Sequence, residues 1–368
     1  VSSAGAPRVV RVVGTGLLGT SLGLALTAVG VQVHLADTSP SALALARDLG
    51  AGSVQTAAAP DLVVVAAPPD VVAAVVLAEL VAHPGAVVTD VASVKGQPLR
   101  ALRDAGADLS RFVGGHPLAG RERSGAVAAR ADLFQGRPWV LTPTPESTPD
   151  AVAAVTALAR LVGSEVTTMD ADEHDVAVAL VSHLPQVAAS LVAGRLREAS
   201  ERAVALSGQG VRDVTRIAAS DPHLWTQILA ANAPALSVAL HALRSDLDQL
   251  IGALDALAAE PDVAAGAVGA RALVAGLVAA GNEGRARIPG KHGGAPTSYA
   301  QVPVVVPDRP GELARLLHDV GDAGVNLEDL RIEHGAGQPV GLAEIAVLPA
   351  AARTLVEALT ARGWTVHG

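Results

Sequence analysis

Arg8-Val9-Val10-Arg11-Val12-Val13-Gly14-Thr15-Gly16-Leu17-Leu18-Gly19 is the stretch that decides the fold. A short β-branched run enters a glycine turn, and an Ala/Leu-rich helical pattern continues to about Val29. In such a strand–turn–helix the first glycine permits the tight turn and the second lets a pyrophosphate approach the backbone. The third lets the helix pack closely on the strand, and the helix N-terminus turns unpaired N–H groups toward the phosphates. Gly14, Gly16, Leu17, Leu18 and Gly19 are therefore the expected dinucleotide-binding residues. Val31 to Ala36 reads as a second strand ending in Asp37, at the separation of about twenty residues where a carboxylate accepts ribose hydroxyls. That carboxylate would repel a 2′-phosphate, and no arginine follows among Thr38, Ser39 and Pro40, so NAD is expected over NADP.

Further strands are predicted at Asp61 to Ala66, Ala86 to Thr89, Arg111 to Val113, Pro138 to Thr142 and Glu165 to Thr168, with helices between them. This is an α/β, Rossmann-type dinucleotide-binding domain over residues 7–168. From Met169 to about Gly281 only helical periodicity appears, which defines an all-α substrate or dimerisation domain over residues 169–284. Asn282 to Ser298 lacks an apolar period and reads as a linker, bounded here as residues 285–299. Residues 300–368 show strand, helix, strand, strand, helix, strand, a ferredoxin-like α+β order.

Composition narrows the function. A chain of 368 residues exceeds one ordinary core, so two or three domains are expected. The net charge is -9 and no Lys/Arg run stands out, which argues against nucleic acid and anionic membranes as partners. Cysteine is absent, excluding disulfides, thiolate zinc sites and cysteine nucleophiles, and no metal is expected. The short Ser/Ala/Gly tail before Arg8 is unlike a signal peptide. Apolar stretches look interrupted by Gly, Pro, Asp or Arg before spanning length. A soluble, cytoplasmic protein is the expectation.

Several polar groups stand out against this apolar background. Gly114-Gly115-His116-Pro117-Leu118-Ala119-Gly120 reads as a glycine-rich loop bringing one imidazole close to a ligand, and histidine suits proton transfer near neutral pH. Ser93, in Thr89 to Gly96 at a strand's carboxyl end, could bond a substrate or nicotinamide, or cap a helix; Lys95 reads as an ion-pair or surface residue. Ser182-His183-Leu184-Pro185-Gln186 sets a histidine before a proline that kinks or starts a helix. Arg212 and Arg216 would share a face if their segment is helical, and Ser220-Asp221-Pro222-His223-Leu224-Trp225 turns into another helix. An arginine fork matches a substrate carboxylate and keeps its charge when desolvated.

Together these segments resemble the prephenate dehydrogenase family, which includes arogenate dehydrogenases. The resemblance rests on the glycine turn, Asp90 to Gly96, Gly114 to Gly120, Ser182 to Gln186, and the run from Asp213-Val214-Thr215-Arg216 through Ser220-Asp221-Pro222 to Trp225. The tail is similar to an ACT domain, through Asp308 to Leu313 and Gly324-Val325-Asn326. The resemblance implies NAD-dependent oxidative decarboxylation of prephenate to 4-hydroxyphenylpyruvate in tyrosine biosynthesis. It implies His116 as acceptor of the substrate's hydroxyl proton, Ser93 as its assistant at that hydroxyl, and Arg216 and His183 as substrate-binding residues. It further implies a homodimer through the helical domain, and a tyrosine or phenylalanine effector near Pro310, Gly311, Glu312 and Asn326. Arg212 and Ala179 depart from some relatives near the pocket, so arogenate stays open as the substrate, as does another small carboxylate. A catalytically inactive amino-acid sensor is the alternative from another class; the intact His116, Ser93, His183 and Arg216 set argues against it.

Overall fold

The computed structural model describes residues 7–55, 58–120, 125–259, 265–289, 299–334 and 339–367. The chain divides into two compact units, Val1–Arg244 and Ser245–Gly368.

The first unit opens with β1 (Val9–Val13), α1 (Leu17–Ala28), β2 (Gln32–Ala36), α2 (Pro40–Asp48), β3 (Leu62–Val65), α3 (Val72–Ala82), β4 (Val87–Asp90) and α4 (Gly96–Asp104). It continues with β5 (Phe112–Pro117), β6 (Pro138–Pro143), α5 (Pro149–Leu161) and β7 (Glu165–Thr168). The strands form one sheet in the order β2-β1-β3-β4-β5-β6-β7, parallel except for the antiparallel β5–β6 pair. β3 shows why the sheet forms: all four of its residues are buried, Leu62 and Val64 in one core and Val63 and Val65 in the other. An apolar run without alternation is the mark of a parallel strand covered on both faces.

The glycine turn has the steric character its sequence predicts. Gly14 sits at φ +100, and a Cβ there would strike the Ala66 carbonyl oxygen. A Cβ on Gly19 would strike the Gly14 carbonyl oxygen, so these two glycines let α1 and the end of β3 close on the turn. Nothing lies within 4 Å of a Cβ on Gly16, which leaves the helix mouth open.

His116 differs from its predicted setting. It lies within β5, paired with Val140 of β6, and not in a flexible loop. The glycines before it serve close packing: a Cβ on Gly115 would come within 2.7 Å of the Asp90 carbonyl oxygen and 2.9 Å of Trp139 Nε1. A Cβ on Gly114 would collide with Thr142 Oγ1. Small residues at a strand crossing and flexible residues in a loop look alike in sequence; only the neighbours distinguish them.

Helices complete the first unit: α6 (Ala171–Val178), a π-helical turn (Ala179–His183), α7 (Leu184–Arg195), α8 (Glu201–Val204), α9 (Gln209–Thr215), α10 (Pro222–Ala231) and α11 (Ala233–Ala259), which runs through the division between the units. α9 ends at Thr215 and a 3-10 turn, Arg216–Ala218, follows, so Arg212 and Arg216 do not share one α-helical face. The helical run Ala171–Glu198 does reach membrane-spanning length, with a mean hydropathy of 1.8 in its most apolar 18-residue window, contrary to the sequence expectation. Its His174, Asp175, His183 and Gln186 are buried in the protein, while Val176, Leu180, Val181 and Leu191 of the same run are exposed.

The second unit carries α12 (Ala265–Ala286). Asn282 to Ala286, read from sequence as linker, continue that helix; its backbone bonds need no apolar stripe, so periodicity could not reveal it. Of the rest of the expected linker, residues 290–298 lie outside the described residues. β8 (Ala300–Pro307), α13 (Glu312–Asp322), β9 (Asp329–His334), β10 (Val340–Val347), α14 (Pro349–Ala361) and β11 (Thr365–Val366) follow. Their sheet is antiparallel in the order β11-β8-β10-β9, with Val304, Leu316, Ile345, Leu355 and Leu359 at its core.

Candidate active site

At the mouth of α1 the backbone leaves its first N–H groups without a side-chain cap, and a helix N-terminus of this kind attracts an anion. Asp37 faces the same turn. Its Oδ2 accepts from Thr15 N (2.6 Å) and Thr15 Oγ1 (2.7 Å), and its Oδ1 accepts from Ser39 N (2.7 Å). Burial pushes this carboxyl upward, but the bonds from Ser39, Thr15 and Thr38 outweigh it and hold the group below the usual carboxylate value. A rigid carboxylate beside an open, uncapped helix mouth fits the adenosine ribose and pyrophosphate of a dinucleotide. Thr15, fully buried, is the part of this arrangement that sequence reasoning passed over.

The second cluster forms where the ends of β4 and β5 meet α6. Lys95, read from sequence as an ion-pair or surface residue, is buried and its Nζ donates to Asp90 Oδ2 and to the Gly115 carbonyl (2.6 Å). Burial pulls the Lys95 ammonium below its ordinary value, against the pull of Asp90. Asp90 also accepts from Ala92 N (3.0 Å) and Gly115 N (3.3 Å). The pair thereby ties the strand carrying His116 to the end of β4.

His116 Nδ1 lies 2.8 Å from His174 Nε2, and His174 Nδ1 lies 2.8 Å from Asp175 Oδ1. Asp175 accepts at 2.8 Å from both Lys95 N and Gly96 N. Its carboxylate thus caps α4, the work sequence reading had offered to Ser93; the half-buried Ser93 is not the cap. Burial raises the Asp175 carboxyl, and the bonds from His174, Lys95 and Gly96 more than offset this, leaving it below its usual value. For His116, burial first, then His174, Lys95 and His183, hold the imidazole well below its ordinary value, so the ring is neutral near pH 7 and able to accept a proton.

His183 joins the network through Asn232, whose Nδ2 donates to the Asp175 carbonyl (2.8 Å) and to His183 Nδ1 (3.1 Å). An accepting Nδ1 places the His183 proton on Nε2. The ring meets Trp225 edge-on at 6.1 Å, and burial sets it below the usual histidine value. Arg216 is exposed, on the turn that packs against α7, and Ser220 Oγ of the next segment reaches Gln186 Oε1 at 3.4 Å. The structure thus draws His116 and His183 into one buried network, and leaves Arg216 on a neighbouring exposed turn. In the second unit, Gly311 (φ +91) opens α13, Glu312 pairs with Arg315 (2.7 Å), and Asn326 donates to Glu328 (2.6 Å); Pro310 precedes that opening.

His174, Asp175 and Asn232 were not singled out from sequence. A signal existed: Ala171, His174, Asp175 and Val178 are the buried residues of α6, spaced as a helix core face. The surrounding acidic residues masked it, because Asp170-Ala171-Asp172-Glu173 looks like a solvated helix start.

Residues 22–168 match a family model described as prephenate dehydrogenase, nucleotide-binding domain, and residues 170–263 one described as prephenate dehydrogenase, dimerization domain. A probable prephenate dehydrogenase, NovF, of Streptomyces niveus is 39% identical over 363 residues, 98% of this chain and 99% of that one. The structure of prephenate dehydrogenase from Aquifex aeolicus with hydroxyphenyl propionate and NAD+ superposes with a TM-score of 0.64 at 28% identity, covering 76% of this chain and 97% of that one. Synechocystis arogenate dehydrogenase superposes with a TM-score of 0.57 at 29% identity, covering 67% and 91%.

Proposed function

This chain belongs to the prephenate dehydrogenase family, and from that premise we propose that it is an NAD-dependent oxidoreductase converting prephenate to 4-hydroxyphenylpyruvate and carbon dioxide. The observation that carries the reading is His116, a buried imidazole held by His174 at the strand end of a dinucleotide-binding sheet. Bound NAD supplies the hydride acceptor. Hydride leaves ring carbon 4, the bond to the ring carboxyl breaks, and its electrons complete the aromatic ring. The chain's own work is to accept the hydrogen bond, and then the proton, of the hydroxyl on carbon 4 as hydride leaves, and to return that proton to the oxygen as the phenol forms. His116 does this, Ser93 assists at the same oxygen, His183 orients the substrate and Arg216 holds a carboxylate. Gly14, Gly16, Leu17, Leu18 and Gly19 seat the pyrophosphate, and Asp37 the adenosine ribose.

Arogenate is the second reading, favoured by the likeness to Synechocystis arogenate dehydrogenase. NADH or NADPH formation by purified protein, with each substrate paired with each cofactor, separates the possibilities. Prephenate with NAD is the expected productive pair. With NADP, kcat/KM should be at least about 100-fold lower, since like charges brought together cost several kcal/mol. Turnover of arogenate without turnover of prephenate would replace the first reading by the second. No turnover of either would leave another small carboxylate as the substrate, or an amino-acid sensor.

Two assembly features belong to the same proposal. Val176, Leu180, Val181 and Leu191 are exposed apolar residues on the run Ala171–Glu198, and a second copy of the chain is the occupant proposed for them, giving a cytoplasmic homodimer. The tail is proposed as an ACT-like, ferredoxin-like regulatory domain binding tyrosine or phenylalanine near Pro310, Gly311, Glu312 and Asn326. Its sheet order β11-β8-β10-β9 supports that reading. Both are read by recording molar mass and prephenate turnover side by side as tyrosine or phenylalanine is added to the full chain. The expected mass is that of two chains, with turnover falling as one of them is added and Asn326→Ala relieving the inhibition. A single-chain mass removes the dimer; turnover indifferent to both amino acids removes the effector.

A further inference from the structure

The chain of contacts behind His116 has a direction. Asp175 receives backbone N–H groups from Lys95 and Gly96, one on each carboxylate oxygen, as well as the His174 ring. An ionised carboxylate can only accept, so the His174 proton facing it is on Nδ1. The other nitrogen of a neutral ring, Nε2, keeps its lone pair. Its 2.8 Å contact with His116 Nδ1 therefore requires the His116 proton on Nδ1. The two rings meet edge-on, with centroids 5.1 Å apart and planes at 72°. What remains at the end of the chain is His116 Nε2, which no described protein group hydrogen-bonds.

We infer that His174 and Asp175 are positioning residues, which hold His116 as its Nδ1–H tautomer and so present the Nε2 lone pair to the substrate hydroxyl. The inference rests on the proposed dehydrogenase reading for its chemical purpose, but not for its geometry. Asp175 has a second task that makes the first dependable: as the cap of α4 it is pinned beside the nucleotide-binding sheet, while its carbonyl is held by Asn232, between α10 and α11. When His116 takes the hydroxyl proton on Nε2, both its nitrogens carry protons. The Nδ1–H bond to His174, itself held by Asp175, then stabilises the imidazolium, the part that an aspartate bonded directly to the histidine plays in serine hydrolases. The other charged or titratable groups around the ring are Lys95 at the α4 entrance, Asp90 at the end of β4 and His183 on the π turn. Lys95 is committed to Asp90 and the Gly115 carbonyl, which leaves His174 as the group bonded to the His116 ring.

Histidine 15N NMR of the full chain, with His116→Asn used for assignment, reads the tautomer without any turnover. The wild type should show His116 protonated at Nδ1 and bare at Nε2. In His174→Phe, which offers no acceptor, the proton should move to Nε2. The value of kcat should fall by about 10–100-fold, the range seen when partners that orient a functional histidine are lost, with KM for prephenate little changed. His174→Gln should recover much of kcat, because its Oε1 can accept from His116 Nδ1–H and its Nε2 can donate to Asp175. If His174→Phe does not fold, Asp175→Asn carries the same readouts, since it loses the acceptor-only charge that orients His174. A wild-type His116 protonated at Nε2 would overturn the inference. So would a folded His174→Phe protein with unchanged tautomer and kcat. If the wild type oxidises neither prephenate nor arogenate, the functional reading fails while the tautomer still tests the relay.

Discussion

His116→Asn is expected to lower kcat for prephenate by about 10²–10⁴-fold, the usual contribution of a positioned proton acceptor. Asparagine is chosen because its amide can still donate to His174 Nε2, as His116 Nδ1 does, and so keeps the buried partner satisfied. What it lacks is the lone pair at the position of Nε2. Binding of NAD should be unaffected, because the glycine turn and Asp37 belong to the other end of the site. The pH profile adds a second signature. The active form of His116 is unprotonated, and burial with His174, Lys95 and His183 depresses its ionisation well below the ordinary histidine value. Activity should therefore persist below pH ~6.5, the unperturbed histidine value, and fall only as pH drops through the depressed value. The asparagine variant should lose that acidic limb. Steady-state kinetics between acid and neutral pH check both points, and wild-type turnover by the variant would remove His116 from the mechanism.

Arg216→Ala is expected to raise KM for prephenate by about 10–150-fold, the equivalent of the 1.5–3 kcal/mol typical of a hydrogen bond to a charged group. kcat should fall less, if the carboxylate contact is made equally in the ground and transition states. Arg216→Lys should recover only part of the loss, because an ammonium cannot reproduce the two parallel bonds of a guanidinium fork. The position suits a substrate clamp: Arg216 is exposed at the start of a 3-10 turn that packs against α7, directly after the His183 segment. Kinetics with prephenate varied at saturating NAD, then NAD varied at saturating prephenate, provide the check. An unchanged KM for prephenate in the alanine variant would mean that another group holds the carboxylate.

The glycine turn was legible because its constraints are local. Gly14 needs a positive φ, Gly19 needs helix–strand proximity, and the strand and helix on either side announce themselves by β-branching and periodicity. His116 was legible as a candidate but not in its setting. Two glycines before a histidine suggested a flexible loop, whereas Gly115 is small because the Asp90 carbonyl and Trp139 press against it. Lys95 was legible as an ion-pair partner but not as a buried one: nothing near it in the chain reveals that its ammonium ends between Asp90 and the Gly115 carbonyl, the latter 20 residues away.

Composition and period alone were enough to order the strands of both sheets along the chain, to mark the glycine turn with Asp37, and to nominate His116, His183 and Arg216 as candidates. Those are matters of short-range sterics and period. Only the tertiary structure decided that His174 stands 2.8 Å from His116 across 58 residues, and that Asp175 reaches back 80 residues to cap the helix entered at Lys95. The direction of this hydrogen-bond chain depends on which lone pair faces which N–H, and that is set by the packing of α6 against α4, not by any residue's neighbours in the chain.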